Sequence, residues 1–168
     1  MNIHWEYVIL HWLHVMGMAL WVGGSAYLAF FLVPYLRKNI PAGIRIKAVT
    51  DIGRRYAFAV WVAFLVMVAS GVRMAMHHFE TMDNIWHSAD GHIFVAKIIL
   101  VIIAVLLLQY HTTILGERIV KMAQALPPDA MDAPPELRAL IKRSAAVSAT
   151  SFLLLLMVTV LGEILAHG

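Results

Sequence analysis

The sequence predicts an all-α integral membrane protein: a bundle of four transmembrane helices whose N- and C-termini lie on the non-cytoplasmic side. Three observations lead there. The 168 residues are 61% hydrophobic and 14% charged, with a mean hydropathy of +0.78, whereas an average soluble domain is about a quarter charged. Four apolar stretches each supply the roughly 20 residues that a hydrocarbon core requires. Basic residues crowd two of the three connecting segments and are missing from the other, which selects one orientation.

The first stretch, residues 7–36, contains no Asp, Glu, Lys or Arg. It exceeds one crossing, so it should tilt or extend past the lipid. Without a basic leader, and with so long an apolar run, it reads as a retained helix rather than a signal peptide. The second (56–78) carries only Arg73, the third (93–116) only Lys97 and the fourth (144–165) only Glu163. Arg37, Lys38, Arg45, Lys47, Arg54 and Arg55 follow the first span, and Arg118, Lys121, Arg138, Lys142 and Arg143 precede or open the fourth. Both groups are expected in the cytoplasm. Between the second and third spans stand Glu80, Asp83 and Asp90 with no Lys or Arg, as expected of the outer face. Residues 124–137 include Pro127, Pro128, Pro134 and Pro135 and read as a turn or linker. The chain is expected to be one transmembrane domain over residues 1–168, in a bacterial inner membrane. Connections this short leave no room for a separate soluble active site, so any chemistry belongs in or beside the bundle.

The chain has no cysteine, which excludes disulfides, thiolate metal sites, iron–sulfur clusters and thioether-attached haem. The net charge of +3 comes from residues beside membrane spans. It reads as topology rather than as a nucleic-acid surface.

Candidate functional residues gather toward the outer half. His11, His14, Met18 and Trp21 share a face of the first span, with Gly17 and Gly24 seven residues apart. Those glycines admit either a neighbouring helix or a flat cofactor. His14 falls roughly 9 Å inside the outer end of its helix at about 1.5 Å per residue, so it lies in hydrocarbon. An intramembrane imidazole is either a functional ligand or a hydrogen-bonding link between helices. Ser70, Arg73 and His77 step by three and four on the second span and should point into the bundle. His77 is favoured over His78 as the inward histidine. Arg73 would hold an acidic group such as a haem propionate, or else pair with Glu163. Lys97 is placed near the depth of His14, unless it snorkels to the interface. His111 lies fourteen residues further along, roughly 21 Å away on the axis, so the two cannot share one small site. His4, His11, His87, His92 and His167 are expected at or outside the outer interface.

Two imidazoles from different helices commonly ligate a membrane b-type haem, and His14 with His77 is the pair these positions suggest, with His78 and His111 as less favoured ligands. Gly17 would make room for the porphyrin, and Arg73 and Lys97 would hold its propionates. Copper is the alternative, since imidazole and thioether together suit Cu(I) and Met16, Met18, Met74 and Met76 are also at this end.

The run from Leu13-His14 to Trp21-Val22-Gly23-Gly24 resembles the first helix of the copper-resistance D (CopD) family. Arg54-Arg55-Tyr56 leading to Ser70-Gly71, and Asp90-Gly91 leading to Lys97, are similar to the starts of that family's next two helices. The same His14 and Lys97, with Tyr110-His111, also resemble HemJ-type protoporphyrinogen oxidases. Phe30-Phe31-Leu32-Val33-Pro34 replaces the basic, histidine-containing end of the first helix in that family. The first resemblance implies copper handling. The second implies dependence on haem b, with His14 and Lys97 critical.

The leading expectation is a b-type haem protein that transfers electrons, with a quinone or cytochrome c as partner, alone, as a homo-oligomer or within a larger respiratory complex. A HemJ-type oxidase and a CopD-type copper protein are the alternatives. No nucleic-acid partner is expected.

Overall fold

The computed structural model describes residues 5–79 and 82–167, with side chains described through 79 and from 85 to 165. His4 and Glu80 lie outside the described residues, as do the side chains of Asp83 and His167. The described chain is helical, with no strand. Four helices are long and apolar enough to cross a membrane: α1 (Trp5–Asn39), α2 (Ala42–His78), α4 (Ala89–Gln124) and α5 (Pro135–His167). The short α3 (Met82–His87) joins α2 to α4.

These helices run beyond the apolar stretches read from sequence. α2 starts at Ala42 rather than near residue 56, so Arg45, Lys47, Arg54 and Arg55 lie on helix and not in a loop. Hydropathy marks where lipid ends, not where hydrogen bonding ends. Ile40 is extended, as a residue before proline must be, and Pro41 then opens α2. Arg45 Nη1 reaches back to the carbonyls of Arg37 and Ile40 at 3.2 Å each, which serves the open end of α1. The longer non-helical connection at this end is the proline-rich segment between Gln124 and Pro135. It is tied down by Gly43 N–H donating to the Ala130 carbonyl (3.1 Å) and Lys47 Nζ donating to that of Leu126 (3.4 Å).

Two of the helices contain a π turn. In α1 the turn spans Leu28–Leu32 and ends with Val33 N–H donating to the Leu28 carbonyl. Pro34 explains it: the ring lacks an N–H and crowds the carbonyl four residues back, so the helix widens there. In α4 the turn spans Tyr110–Leu115, with Gly116 N–H donating to the His111 carbonyl. Thr112 and Thr113 hydroxyls donate back to the Leu108 and Gln109 carbonyls at 2.9 and 2.7 Å, competing with the regular ladder.

The bundle is two helical hairpins, α1 on α2 and α4 on α5, joined where α1 meets α5 and where the first turns of α2 meet Gly116–Gln124 of α4. Ala42, Ile46, Ile119, Ala123, Ala133 and Leu137 form a buried cluster at the basic end. Trp21, Val60, Met67, Ala104 and Leu155 form another in the middle. Phe58, Leu106, Phe30 and Phe31 are exposed, which is the solvated state for such residues when the solvent is acyl chain. Lipid tails offer no hydrophobic drive for helix association, so close packing and interhelical hydrogen bonds must hold the pairs. Tyr56 of α2 supplies one such link. Its hydroxyl donates to the Trp21 carbonyl (2.5 Å) and lies 3.0 Å from Ser25 Oγ, both on α1. Ser151 of α5 donates to the Ala104 carbonyl of α4 (3.3 Å).

The glycines of α1 are not equivalent. A Cβ on Gly17 would stand 2.5 Å from Met67 Cγ and 3.2 Å from the Ala63 carbonyl oxygen, and one on Gly24 would meet the Tyr56 ring. A Cβ on Gly23 meets nothing within 4 Å. Gly17→Leu should therefore destabilise the α1–α2 hairpin by about 1–3 kcal/mol, read as earlier thermal unfolding in detergent, while Gly23→Leu should leave the transition where it is. Equal shifts for the two would mean that α1 is docked by a different face.

Candidate functional site

His14 sits on the α1 face turned to α2. Its Nδ1 is 2.9 Å from the Met67 carbonyl oxygen and 3.2 Å from Ser70 Oγ. A carbonyl can only accept, so the proton is on Nδ1. The Ser70 hydroxyl proton is already directed to its own helix, 2.8 Å from the Val66 carbonyl, so its oxygen faces the ring as an acceptor. This fixes the tautomer: Nε2 of the neutral ring carries a lone pair and is the nitrogen able to bind a metal. Gly71 leaves the space for the ring, since a Cβ there would be 3.0 Å from His14 Cε1.

Lys97 comes from α4 and acts electrostatically on His14, as does His11 one turn away. Its ammonium rests on α5, 3.2 Å from where a Cβ on Gly162 would lie. Thus α1 and α2 hold the imidazole between them, and α4 supplies the lysine that rests on α5. The sequence reading had placed His14 and Lys97 at similar depth. It had not identified Met67 and Ser70 as the partners of His14, nor Gly162 as the seat of Lys97. Ser70-Gly71 was noticed as a small pair, and that was the available signal.

The structure does not bring His77 to this place. His77 Nε2 lies 3.8 Å from Glu6 Oε1, and Arg73 Nε donates to the same oxygen at 2.9 Å. The polar stripe expected to face inward does so only at Ser70, which is 2% exposed; the side chains of Arg73 and His77 are 48% and 46% exposed. Arg73 pairs with Glu6. Glu6, the sole acidic residue among the first fifty, is a partner the sequence reading overlooked. His78 faces Asp90 Oδ2 at 3.4 Å and stacks edge-on against Phe79. His11 stacks on Tyr7 and is exposed.

His111 lies in the other half, within the π turn of α4, its Nδ1 3.1 Å from Ser144 Oγ on α5. It is a second hydrogen-bonded imidazole, separate from the first.

The residues present do not fit a bis-histidine haem. His77 is six residues beyond Gly71, roughly 9 Å further out along α2, and it is engaged with Glu6. The room that Gly17 was expected to give a porphyrin is filled by Met67. Arg73, the expected propionate anchor, is held by a carboxylate. Among the described residues no three His, Asp or Glu side chains converge as a metal cage. What remains beside His14 is soft: the Met67 thioether packed on Gly17, and Met18, partly buried against the central cluster.

Comparison with curated proteins and with solved structures gives no match. The family model for copper resistance protein D (CopD) matches residues 50–161, from the body of α2 through most of α5. That is two thirds of the chain, it includes Lys97, Ser70 and Gly71, and with the four apolar helices it leads to one conclusion: this integral membrane protein belongs to the copper resistance protein D family.

Proposed function

We propose that the protein handles copper as cargo at the histidine-rich end of the bundle, with His14 Nε2 as the ligand at the heart of the path. The observation that carries this reading is the Nδ1 hydrogen bond to the Met67 carbonyl. It commits the ring to the tautomer that presents a lone pair, on a pair of helices that also carry the Met67 thioether. Imidazole and thioether are suited to Cu(I), and family membership points to the same metal. At the rim, the His77–Glu6 and His78–Asp90 pairs offer imidazole and carboxylate to a hydrated ion before it loses its water.

Lys97 gives the site its second property. A fixed cation within electrostatic range of His14 weakens retention of any metal cation there. The site therefore passes copper on instead of storing it. The excess of Lys and Arg at the opposite end favours a cytoplasmic position for that end, and in this reading copper meets the histidine-rich end from outside.

Three measurements test this. Purified protein titrated with Cu(I) against a chromophoric chelator should lose at least tenfold in affinity on His14→Ala, and cells carrying that variant should lose the copper-dependent growth difference. Unchanged affinity would remove His14 from the path. Lys97→Met should tighten Cu(I) by roughly tenfold, about 1.4 kcal/mol, while lowering copper flux; weaker binding would show that the lysine supports the site rather than opposing it. The chain has no cysteine, so single introduced thiols report orientation cleanly. Trp86→Cys should react with an impermeant maleimide in intact cells and Met131→Cys only after permeabilisation; the reverse pattern would invert the direction of entry.

A further inference from the structure

A groove of about 380 Å³ opens at the basic end between the Gly116–Gln124 segment of α4 and the first turns of α5. That volume is within the roughly 300–1,000 Å³ of small-ligand clefts. Arg118 and Lys121 stand on one side, Glu136 on the other, and Met122 and Leu140 form its floor. The floor is firm, because both residues pack on the buried cluster of Ile119, Ala123 and Leu137. Among the described residues no carboxylate lies within ion-pair distance of Arg118 or Lys121. Glu136 therefore lines the groove without neutralising them.

One turn further into α5, Arg143 lies over the Tyr110 ring, 5.7 Å from its centroid. Stacked there, the guanidinium keeps its edge donors available. Tyrosine and arginine side by side mark the depth at which headgroups meet hydrocarbon. Ile114, between Tyr110 and Arg118 on α4, is exposed, so the groove continues upward into an apolar, lipid-facing surface.

We propose that this groove binds the phosphodiester headgroup of an anionic phospholipid of the adjacent leaflet, with Arg118 and Lys121 at the phosphate, the first acyl carbons on Met122 and Leu140, and Arg143 further along toward the bilayer. Charge and depth together select a lipid. Two cations against one carboxylate line the groove and attract an anion, and basic clefts between helices at the cytoplasmic surface suit anionic headgroups. An apolar floor running on toward the bilayer suits the attached chains, which a soluble anion lacks. The site is on the far side of the bundle from His14 and does not depend on the copper reading.

The test uses the full chain in a neutral detergent, titrated with phosphatidylglycerol, phosphatidylcholine or inorganic phosphate and read by native mass spectrometry. Phosphatidylglycerol should bind at least tenfold more tightly than phosphatidylcholine. Arg118→Gln with Lys121→Gln should remove that preference, at roughly fivefold per cation. Arg54→Gln with Arg55→Gln, an equal charge change on α2 at the same end, should leave it intact. Glu136→Gln should strengthen phosphatidylglycerol binding. Equal loss from both arginine-containing doubles would reduce the effect to diffuse surface charge and overturn the site. So would equal binding of the two lipids, or displacement of the lipid by millimolar phosphate. Should the Arg118/Lys121 double fail to fold, Glu136→Gln decides, because no gain in affinity overturns the proposal by itself.

Discussion

An imidazole inside hydrocarbon has to place its N–H somewhere, and in this protein the place is the Met67 carbonyl of the neighbouring helix. A main-chain acceptor is reachable only if the two backbones come close. Gly17 on α1 and Ala63, Ser70 and Gly71 on α2 are the small residues that allow the approach. The hydrogen bond and the small residues thus depend on each other. Packing supplies the proximity, and the buried polar group makes separation of the helices unfavourable, an effect measured at about 0.6–2 kcal/mol for comparable interhelical bonds. The same bond decides which ring nitrogen keeps its lone pair. Structure and chemistry at His14 rest on one proton.

The other hairpin repeats the logic with different parts. His111 on α4 meets Ser144 on α5, and Ser151 reaches the Ala104 carbonyl. In each pair a serine and a histidine bridge the helices at one level, and a second hydroxyl, from Tyr56 or Ser151, bridges them at another. No hydrophobic force is available between helices in lipid, so two polar contacts at separated depths define both the spacing and the rotation of a pair. The π turn at Tyr110–Leu115 is part of this arrangement: it inserts a wider turn where His111 must face α5 while Ile119 and Ala123 continue to face the cluster at the basic end.

Composition and the charge pattern were enough to read four crossing helices, because the requirement for about 20 apolar residues is a property of the solvent. The depth of His14 followed from counting along one helix. Partnerships between helices were not legible in the same way. Spacing placed Ser70, Arg73 and His77 on one face, yet it does not give the angle at which that face meets its neighbour, and a long arginine can turn outward to a carboxylate a helix away. Arg73 did so, finding Glu6. The start of α2 was misread for another reason. A polar helix beyond the lipid has the hydropathy of a loop, and only Pro41 carried the boundary.

In the proposed copper reading, Lys97 and His14 together would bear on which ion the site passes. A fixed positive charge near a ligand penalises every metal cation, but in proportion to its charge: at a given distance a divalent ion meets twice the repulsion of a monovalent one. The donors act in the same direction, since thioether and neutral imidazole favour a soft ion, whereas hard divalent ions call for carboxylates. Carboxylates are present at the rim, as Glu6 and Asp90, and among the described residues none converges with other ligands on His14. The rim can therefore attract cations of either charge, while the interior favours the monovalent, soft one. Gly162 leaves room for the lysine, because a Cβ there would stand 3.2 Å from the ammonium on α5 and a larger side chain would crowd it. Under that reading, selectivity at His14 would be set partly by a residue that bears no chemistry at all.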